Sequence, residues 1–419
     1  MRERIRFYLN RLGERLWLKP LISCVLSISG AFIAKLADHY GMAAFTPEIT
    51  PESVVSLLTV MSNSMLVIAT FSVASMLSAY TSASNTATPR SFALVIADDV
   101  SQNALSVFVG AFIYSIVALV SIKNGYYDKA GHFTLFVLTL LVFAIVIITF
   151  VHWVDRVARL GRLGPTIIKV ERATREAIKR RKQLPRLGGQ RIDGTVDKGE
   201  ALCSDRIGYV QRIDMDILQK HAEDGDYSLI VAALPGTFVA RDCPLLYVKD
   251  RDPISDQDVL KSAFIIGPDR TFDEDPGFGI KVLSEIACRA LSESVNDPGT
   301  AIDVISAQLR LLCFYSRPVD ETDEKEPPVR FNRVYVPELS SRCLFESAFR
   351  AISRDGAGKV EVVSKLLAAL CSLSCGGDGE VQRLAKQHGR DLLVRAEKMM
   401  LHERDLESVR EAAAFCQGD

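Results

Sequence analysis

The chain is poor in histidine, six in 419 residues, and His221, His388 and His402 stand isolated, so no metal triad is visible. Helical spacing puts Cys371 and Cys375 on one face, but they lack further ligands and read as packing residues. The sequence contains no HExxH, no GxSxG and no complete phosphate-binding loop. Gly356-Ala-Gly-Lys359 lacks the upstream glycine, and Val360 stands where a magnesium-holding hydroxyl belongs, so it reads as an interhelical turn. Together these absences exclude the familiar hydrolase and nucleotidase signatures, and nothing in the chain calls for a cofactor. A formal net charge of -1 gives no basis for nucleic acid as a partner.

Charge is also missing from long stretches. The runs Leu21 to Ala37, Val54 to Tyr80, Ala104 to Ile122 and Phe133 to Val154 contain no Asp, Glu or Arg, and Lys35 lies near the end of the first. Each run is long enough to cross about 30 Å of hydrocarbon as a helix. The segment Asp38 to Glu52 has no Lys or Arg, whereas basic residues crowd before Leu21 and between Arg156 and Lys182. The positive-inside rule therefore predicts four spans with both termini in the cytoplasm. The expected fold class is an α-helical membrane domain of four transmembrane helices plus an α+β cytoplasmic domain, a small β barrel-sandwich-like module followed by a helical bundle. The expected boundaries are 1–155 for the spans, 156–203 for a basic juxtamembrane helix and linker, 204–262 for the β-rich module and 263–419 for the mostly helical part.

The second run is rich in small polar groups. Ser64, Ser75, Ser78 and Ser82 fall close to one helical face, while Thr59, Asn63 and Thr70 share another. Two readings fit: close helix packing in lipid, or a water-lined path in a homo-oligomer. Pro89 and its small polar neighbours predict a turn, followed by a short interfacial helix over Ser91 to Val100, with Arg90 facing Asp98 or Asp99, lipid phosphate or water. At the inner boundary Trp153 reads as an interface anchor and His152 as a hydrogen-bonded interfacial residue. The basic stretch from Arg156 to Lys182 suits either a helix drawn to anionic lipids of the bilayer or a stalk.

Beyond the linker, short apolar runs bounded by turns predict strands at Ile207–Ile213, Ser228–Ala233, Thr237–Val239 and Pro244–Val248, with a short helix over Asp214–Ala222. A strand at Phe264, helices over Ile280–Glu293 and Ala301–Tyr315, and a strand at Arg333–Val336 follow. Leu344, Ala348, Ile352, Val363, Leu366, Leu367 and Leu370 recur at helical spacing, as a bundle core does. Asn296-Asp-Pro-Gly299 is a turn signal in which Asp297 can cap the next helix. The functional alternative gathers Arg270, Asp273, Asp275, Asn296 and Asp297 around one ligand cleft.

Three stretches carry a resemblance. They are Thr88-Pro-Arg-Ser-Phe92 with Asp98 and Gln102; Gly208-Tyr-Val-Gln-Arg-Ile-Asp214 with Pro235-Gly236 and Phe238-Val239; and Ile266-Gly267 with Arg270-Thr271, Asp275-Pro276, Arg289-Ala-Leu-Ser292 and Asn296-Asp-Pro298 with Thr300-Ala301. They resemble the bacterial predicted membrane proteins grouped as domain of unknown function 2254, along nearly the whole chain. Glu274 and Glu293 stand where that family usually has Gln and Pro. The resemblance implies a bacterial inner membrane location and no assigned activity. Three functions remain in order: an oligomeric channel or transporter-like protein regulated by its cytoplasmic domain, a non-conducting sensor or scaffold, and an enzyme.

Overall fold

A computed structural model describes residues 18–39, 47, 49–86, 88–91, 94, 99–157, 163–192, 199–249, 257–317, 329–376 and 378–417. The chain divides into two compact units, Met1–Thr166 and Ile167–Asp419.

Among the described residues of the first unit, four helices are long and apolar enough to cross a membrane. They are α1 (Leu18–His39), α2 (Pro51–Thr86), α3 (Asp99–Lys123) and α4 (Lys129–Val157). Each contains one of the four expected runs. In lipid every backbone polar group needs an internal partner, which a continuous helix supplies. Helices α1 and α3 cross closely where a β-carbon on Gly110 would stand 2.2 Å from Ser23 Oγ and 3.1 Å from Ser27 Oγ. Small residues let these backbones approach as larger ones would not. On α2 the buried positions include Val54, Leu58, Met61, Met65, Ala69, Ser72, Met76 and Tyr80, a stripe at helical spacing.

Trp153, expected near the inner boundary, packs inside the bundle. It is 2% exposed and stacks edge-on against Phe71 and Phe108, at 6.2 and 6.1 Å between ring centres. It belongs to the buried core of the bundle, packed within an aromatic cluster. His152 is exposed, and its Nδ1 lies 2.9 Å from the Ile148 carbonyl. Arg90 is exposed in a short 3-10 turn, Pro89–Ser91. Asp98 and most of the interfacial helix expected over Ser91 to Val100 lie outside the described residues, as does the side chain of Asp99.

The second unit contains most of α5 (Leu163–Gln183). Pro165 sits in its first turn, where the missing N–H costs nothing. The strands are β1 (Gly189–Gln190), β2 (Glu200–Cys203), β3 (Gly208–Ile213), β4 (Ser228–Val231), β5 (Phe238–Val239), β6 (Pro244–Lys249), β7 (Phe264–Gly267) and β8 (Phe331–Tyr335). Helix α6 (Met215–Gly225) connects β3 to β4, and α7 (Gln257–Ser262) precedes β7. One sheet has the order β1-β8-β4-β6-β2 and the other β5-β3-β7. Strand β8 runs parallel to β4 and β1, while the remaining pairs are antiparallel.

Both sheets share one core, in which Val210, Leu218, Leu229, Leu246, Phe264 and Val334 are buried together. The β-rich module is therefore not confined to 204–262. The segment read as a linker donates β1 and β2, the outermost strands of the larger sheet, and β8 returns from within the helical part. Sheet edges expose unpaired N–H and C=O groups, and distant segments satisfy them here.

The helical part begins with α8 (Pro276–Ala290) and α9 (Pro298–Ser316). A helical segment then runs through Ser341–Phe345, a π-turn at Glu346–Arg350 and Ala351–Asp355. It is followed by α10 (Val360–Gly376), α11 (Gly379–Met399) and α12 (Glu403–Ala412). Leu344, Ala348, Ile352, Val363, Leu366, Leu367 and Leu370 are all buried, so the expected bundle core is present.

Candidate functional site

Apart from buried Ser62 and Ser72, the polar residues singled out on α2 lie away from its buried stripe. Asn63, Ser64, Thr70 and Ser78 are exposed and Ser75 is half-buried, interspersed with exposed Leu66, Val67, Phe71 and Leu77. The threonines on this face are satisfied locally: Thr59 donates to the Val55 carbonyl at 2.7 Å and Thr70 to the Leu66 carbonyl at 2.9 Å. Asn63 makes no such bond among the described residues. A primary amide carries two donors and an acceptor that hydrocarbon cannot serve. The outward face of α2 thus combines lipid-compatible side chains with one group that asks for water or a second polar surface.

In the second unit, two Asp-Pro-Gly segments start consecutive helices. Asp275 caps α8 by accepting from Phe278 N at 3.1 Å, and Asp297 caps α9 by accepting from Thr300 N at 3.1 Å. The Thr300 hydroxyl also donates to Asp297 Oδ2 at 2.6 Å, and these bonds hold the Asp297 carboxyl below the usual carboxylate range. Asn296 adopts a left-handed backbone, φ 50°, and accepts from the Lys359 ammonium.

The expected five-residue cleft does not assemble. Asp275 precedes α8 and Asn296–Asp297 follow it, so the two turns sit at opposite ends of a 15-residue helix, about 22 Å apart at 1.5 Å per residue. What does assemble is a charged knot at the start of α8. Arg270 Nε donates to Asp275 Oδ2 at 2.7 Å and its Nη2 to Oδ1 at 2.9 Å, a bidentate pair, with the guanidinium over the Phe278 ring at 5.4 Å. Asp273 contributes its carbonyl, which accepts from Arg180 Nη2 at 2.6 Å, while its carboxylate is exposed.

Sequence reasoning missed Glu274, Arg181 and Arg212. Glu274 Oε1 lies 3.3 Å from Arg212 Nε, and its carbonyl accepts from Arg181 Nη2 at 3.4 Å. Burial pushes the Glu274 carboxyl up to about 7, against the pull of Arg212 and Arg181. Burial likewise lowers the Arg181 guanidinium from its ordinary value, with Glu274 and Asp275 opposing. The only sequence signal was an acid beside an Asp-Pro cap, which does not reveal that arginines arrive from β3 and α5.

From Glu171 to Lys182, helix α5 is bound into this unit. Arg310 forks onto Glu171 with two bonds of 2.7 Å, and Lys182 donates to the Phe314 carbonyl at 2.7 Å. A β-carbon on Gly279 would stand 1.8 Å from Thr174 Oγ1, so α5 and α8 touch at backbone distance. The basic end of α5 serves protein contacts, while Arg172 and Lys179 remain exposed.

Among the described residues no group of three His, Cys, Asp or Glu is placed to hold a metal. A family model described as "Predicted membrane protein (DUF2254)" matches residues 13–372. Among curated proteins, uncharacterized protein MT1328 of Mycobacterium tuberculosis and uncharacterized protein Mb1321c of Mycobacterium bovis are each 29% identical over 224 residues. That stretch covers 51% of this chain and 42% of each relative, so the match spans less than half the relatives' length. No solved structure matches the chain at a significant level.

Proposed function

Because the chain belongs to the DUF2254 family of predicted membrane proteins, we propose that it works in the bacterial inner membrane as a homo-oligomeric channel or transporter-like protein regulated by its cytoplasmic domain. The four spans and the basic residues flanking them support a multi-pass topology with both termini inside. The observation that carries the reading is Asn63, an exposed amide in the middle of a membrane-length helix with no hydrogen bond among the described residues. Copies of the chain arranged with this α2 face inward surround a neutral, hydroxyl-lined path. Exposed Arg172 and Lys179 suit anionic headgroups at the inner leaflet.

The test is reconstitution. Purified protein in liposomes passes ions or small solutes, and Asn63→Leu sharply reduces the flux. Absence of flux under every voltage, tension and solute tried removes this reading.

The competing reading is a non-conducting membrane sensor or scaffold. It is favoured by Thr59, Thr70 and Thr81, whose hydroxyls already bond to their own helix and need no lumen. It requires that deleting residues after Arg181 abolishes the phenotype while substitutions at Asn63 and Ser64 change little.

A further inference from the structure

Within the helical part, a groove of about 590 Å³ opens between the π-turn segment and α11. Its two walls follow from spacing. Arg342, Glu346, Arg350 and Ser353 recur every three or four residues on one segment. Leu384, His388, Asp391, Arg395 and Lys398 do so on the other, so each helix turns one side to the cavity. The volume falls in the range of small-molecule sites, roughly 300–1,000 Å³.

The charge of the groove is lopsided. Arg342, Arg350, Arg395 and Lys398 face only Glu346 and Asp391, four cations against two carboxylates. Arg342 already neutralises Glu346 at 3.2 Å. Arg350, Arg395 and Lys398 make no ion pair among the described residues. Three cations without an ion pair around one concavity raise its local positive potential and draw anions to it.

A second observation points the same way. Ser353 is 4% exposed, lines the groove, and its hydroxyl has no hydrogen-bond partner among the described residues. A buried hydroxyl left unmatched costs free energy that a ligand oxygen recovers.

The π-turn explains how the wall is shaped. It widens the helix at Glu346–Arg350, and such turns interrupt the regular i to i−4 ladder. Ser284 Oγ donates to the Ala348 carbonyl at 2.9 Å and itself accepts from Gln308 Nε2 at 2.9 Å. Two buried polar residues on α8 and α9 thus hold the irregular turn from behind. On the facing helix, the His388 ring packs against Phe345 and Phe349 at 5.9 and 6.1 Å. That packing makes a firm floor beside the cations.

We propose that this groove binds a soluble, phosphate-bearing small molecule of about nucleotide size, with Arg350, Arg395 and Lys398 on the phosphates and the Ser353 hydroxyl as a further partner. The site stands independently of whether the membrane part conducts.

Full-length protein in nanodiscs of neutral lipid is titrated calorimetrically with ATP, inorganic pyrophosphate and adenosine. ATP and pyrophosphate bind and adenosine does not. Arg350→Ala and Arg395→Ala each weaken phosphate binding roughly tenfold or more, the effect of losing one charge-assisted contact. Both arginines are surface-accessible, so the variants keep the parent's melting curve, and Ser353→Ala gives a smaller loss in the same direction. The proposal is overturned if neither phosphate binds, if adenosine binds as tightly as ATP, or if the arginine variants bind unchanged. It is equally overturned if the groove responds only to phosphatidylglycerol placed in the disc.

Discussion

Gly236 and Asp275 touch: a β-carbon on Gly236 would stand 2.2 Å from Asp275 Oδ2. The contact joins the Pro235-Gly236 turn, whose amide donates to the Val210 carbonyl at 2.8 Å, to the carboxylate that caps α8 and grips Arg270. Gly236 also has φ of 92°, outside the range that side chains readily adopt. Gly236→Ala is therefore strained twice over, and its expected cost is ~2 kcal/mol or more. Thermal unfolding followed by circular dichroism checks this. A melting temperature equal to the parent's contradicts the contact.

The two Asp-Pro-Gly caps should differ in weight. Asp297→Ala loses a cap at an accessible turn, worth ~1 kcal/mol. Asp275→Ala loses a cap and also strands the Arg270 guanidinium, and breaking one half of such a buried pair costs ~3 kcal/mol. Chemical denaturation of the two variants ranks them. If Asp297→Ala proves the more harmful, the charged knot is not where the helical part is anchored.

Glu274 makes stability depend on pH. Its carboxyl is raised to about 7 in the folded chain by burial. A group raised on folding favours the folded state fully below its unfolded value, and that contribution fades as pH climbs through the folded value. The window runs from the ordinary glutamate range to about 7. Glu274→Gln, which cannot ionise, flattens the fall in stability across this window. Melting temperatures at pH 5 and pH 8 for both proteins give the readout, and parallel curves argue against the assignment.

Asn63 offers a geometric check on assembly. If α2 faces α2 of another copy, Asn63→Cys in membranes gives disulfide-linked dimers on mild oxidation. Val60→Cys, on a neighbouring exposed position, serves as the comparison. Copper phenanthroline treatment and a non-reducing gel read the result, and monomer alone at Asn63→Cys removes the shared face.

His388 gives the groove a pH signature. Burial holds its imidazole below the ordinary value, with Arg342 and Arg350 adding to the effect and Asp391 and Glu346 opposing it. A bound phosphate favours the charged ring, so anion affinity rises as pH falls through the histidine range. His388→Gln keeps most of the affinity at pH 8 and loses the rise toward pH 6. Titration of pyrophosphate at the two pH values separates these outcomes.

Much of the architecture was legible in order along the chain. The four spans, the strands at Gly208, Ser228, Pro244 and Phe264, and the paired helices after Asp275 and Asp297 all follow from periodicity and from Asp-Pro-Gly punctuation. These are local signals, read within a dozen residues. The edge strands Gly189–Gln190 and Glu200–Cys203 escaped because runs of two and four residues are too short to show an alternating pattern. Strand β8 was visible as a strand, but its place beside β4 was not, since pairing across a hundred residues leaves no local trace.

The sites were less legible than the elements. Asp297 shows up as a cap from its Pro-Gly neighbours, whereas Asp275, read from the sequence only as a cleft residue, proves to cap α8, and only the folded chain places that helix between them. Trp153 lies on a helix apolar on every side, so composition does not say which side packs. The groove needs Arg350 and Arg395 on helices that meet only through the bundle core.

The sequence by itself determined the oily front and charged rear, because helix length and the exclusion of charge from hydrocarbon act residue by residue. Tertiary structure alone decided which polar groups meet. It set Glu274 between two arginines and left Arg350, Arg395 and Lys398 facing an open cavity. Burial and Coulomb interaction depend on distances between segments remote in the chain, and those distances exist only once the core has closed.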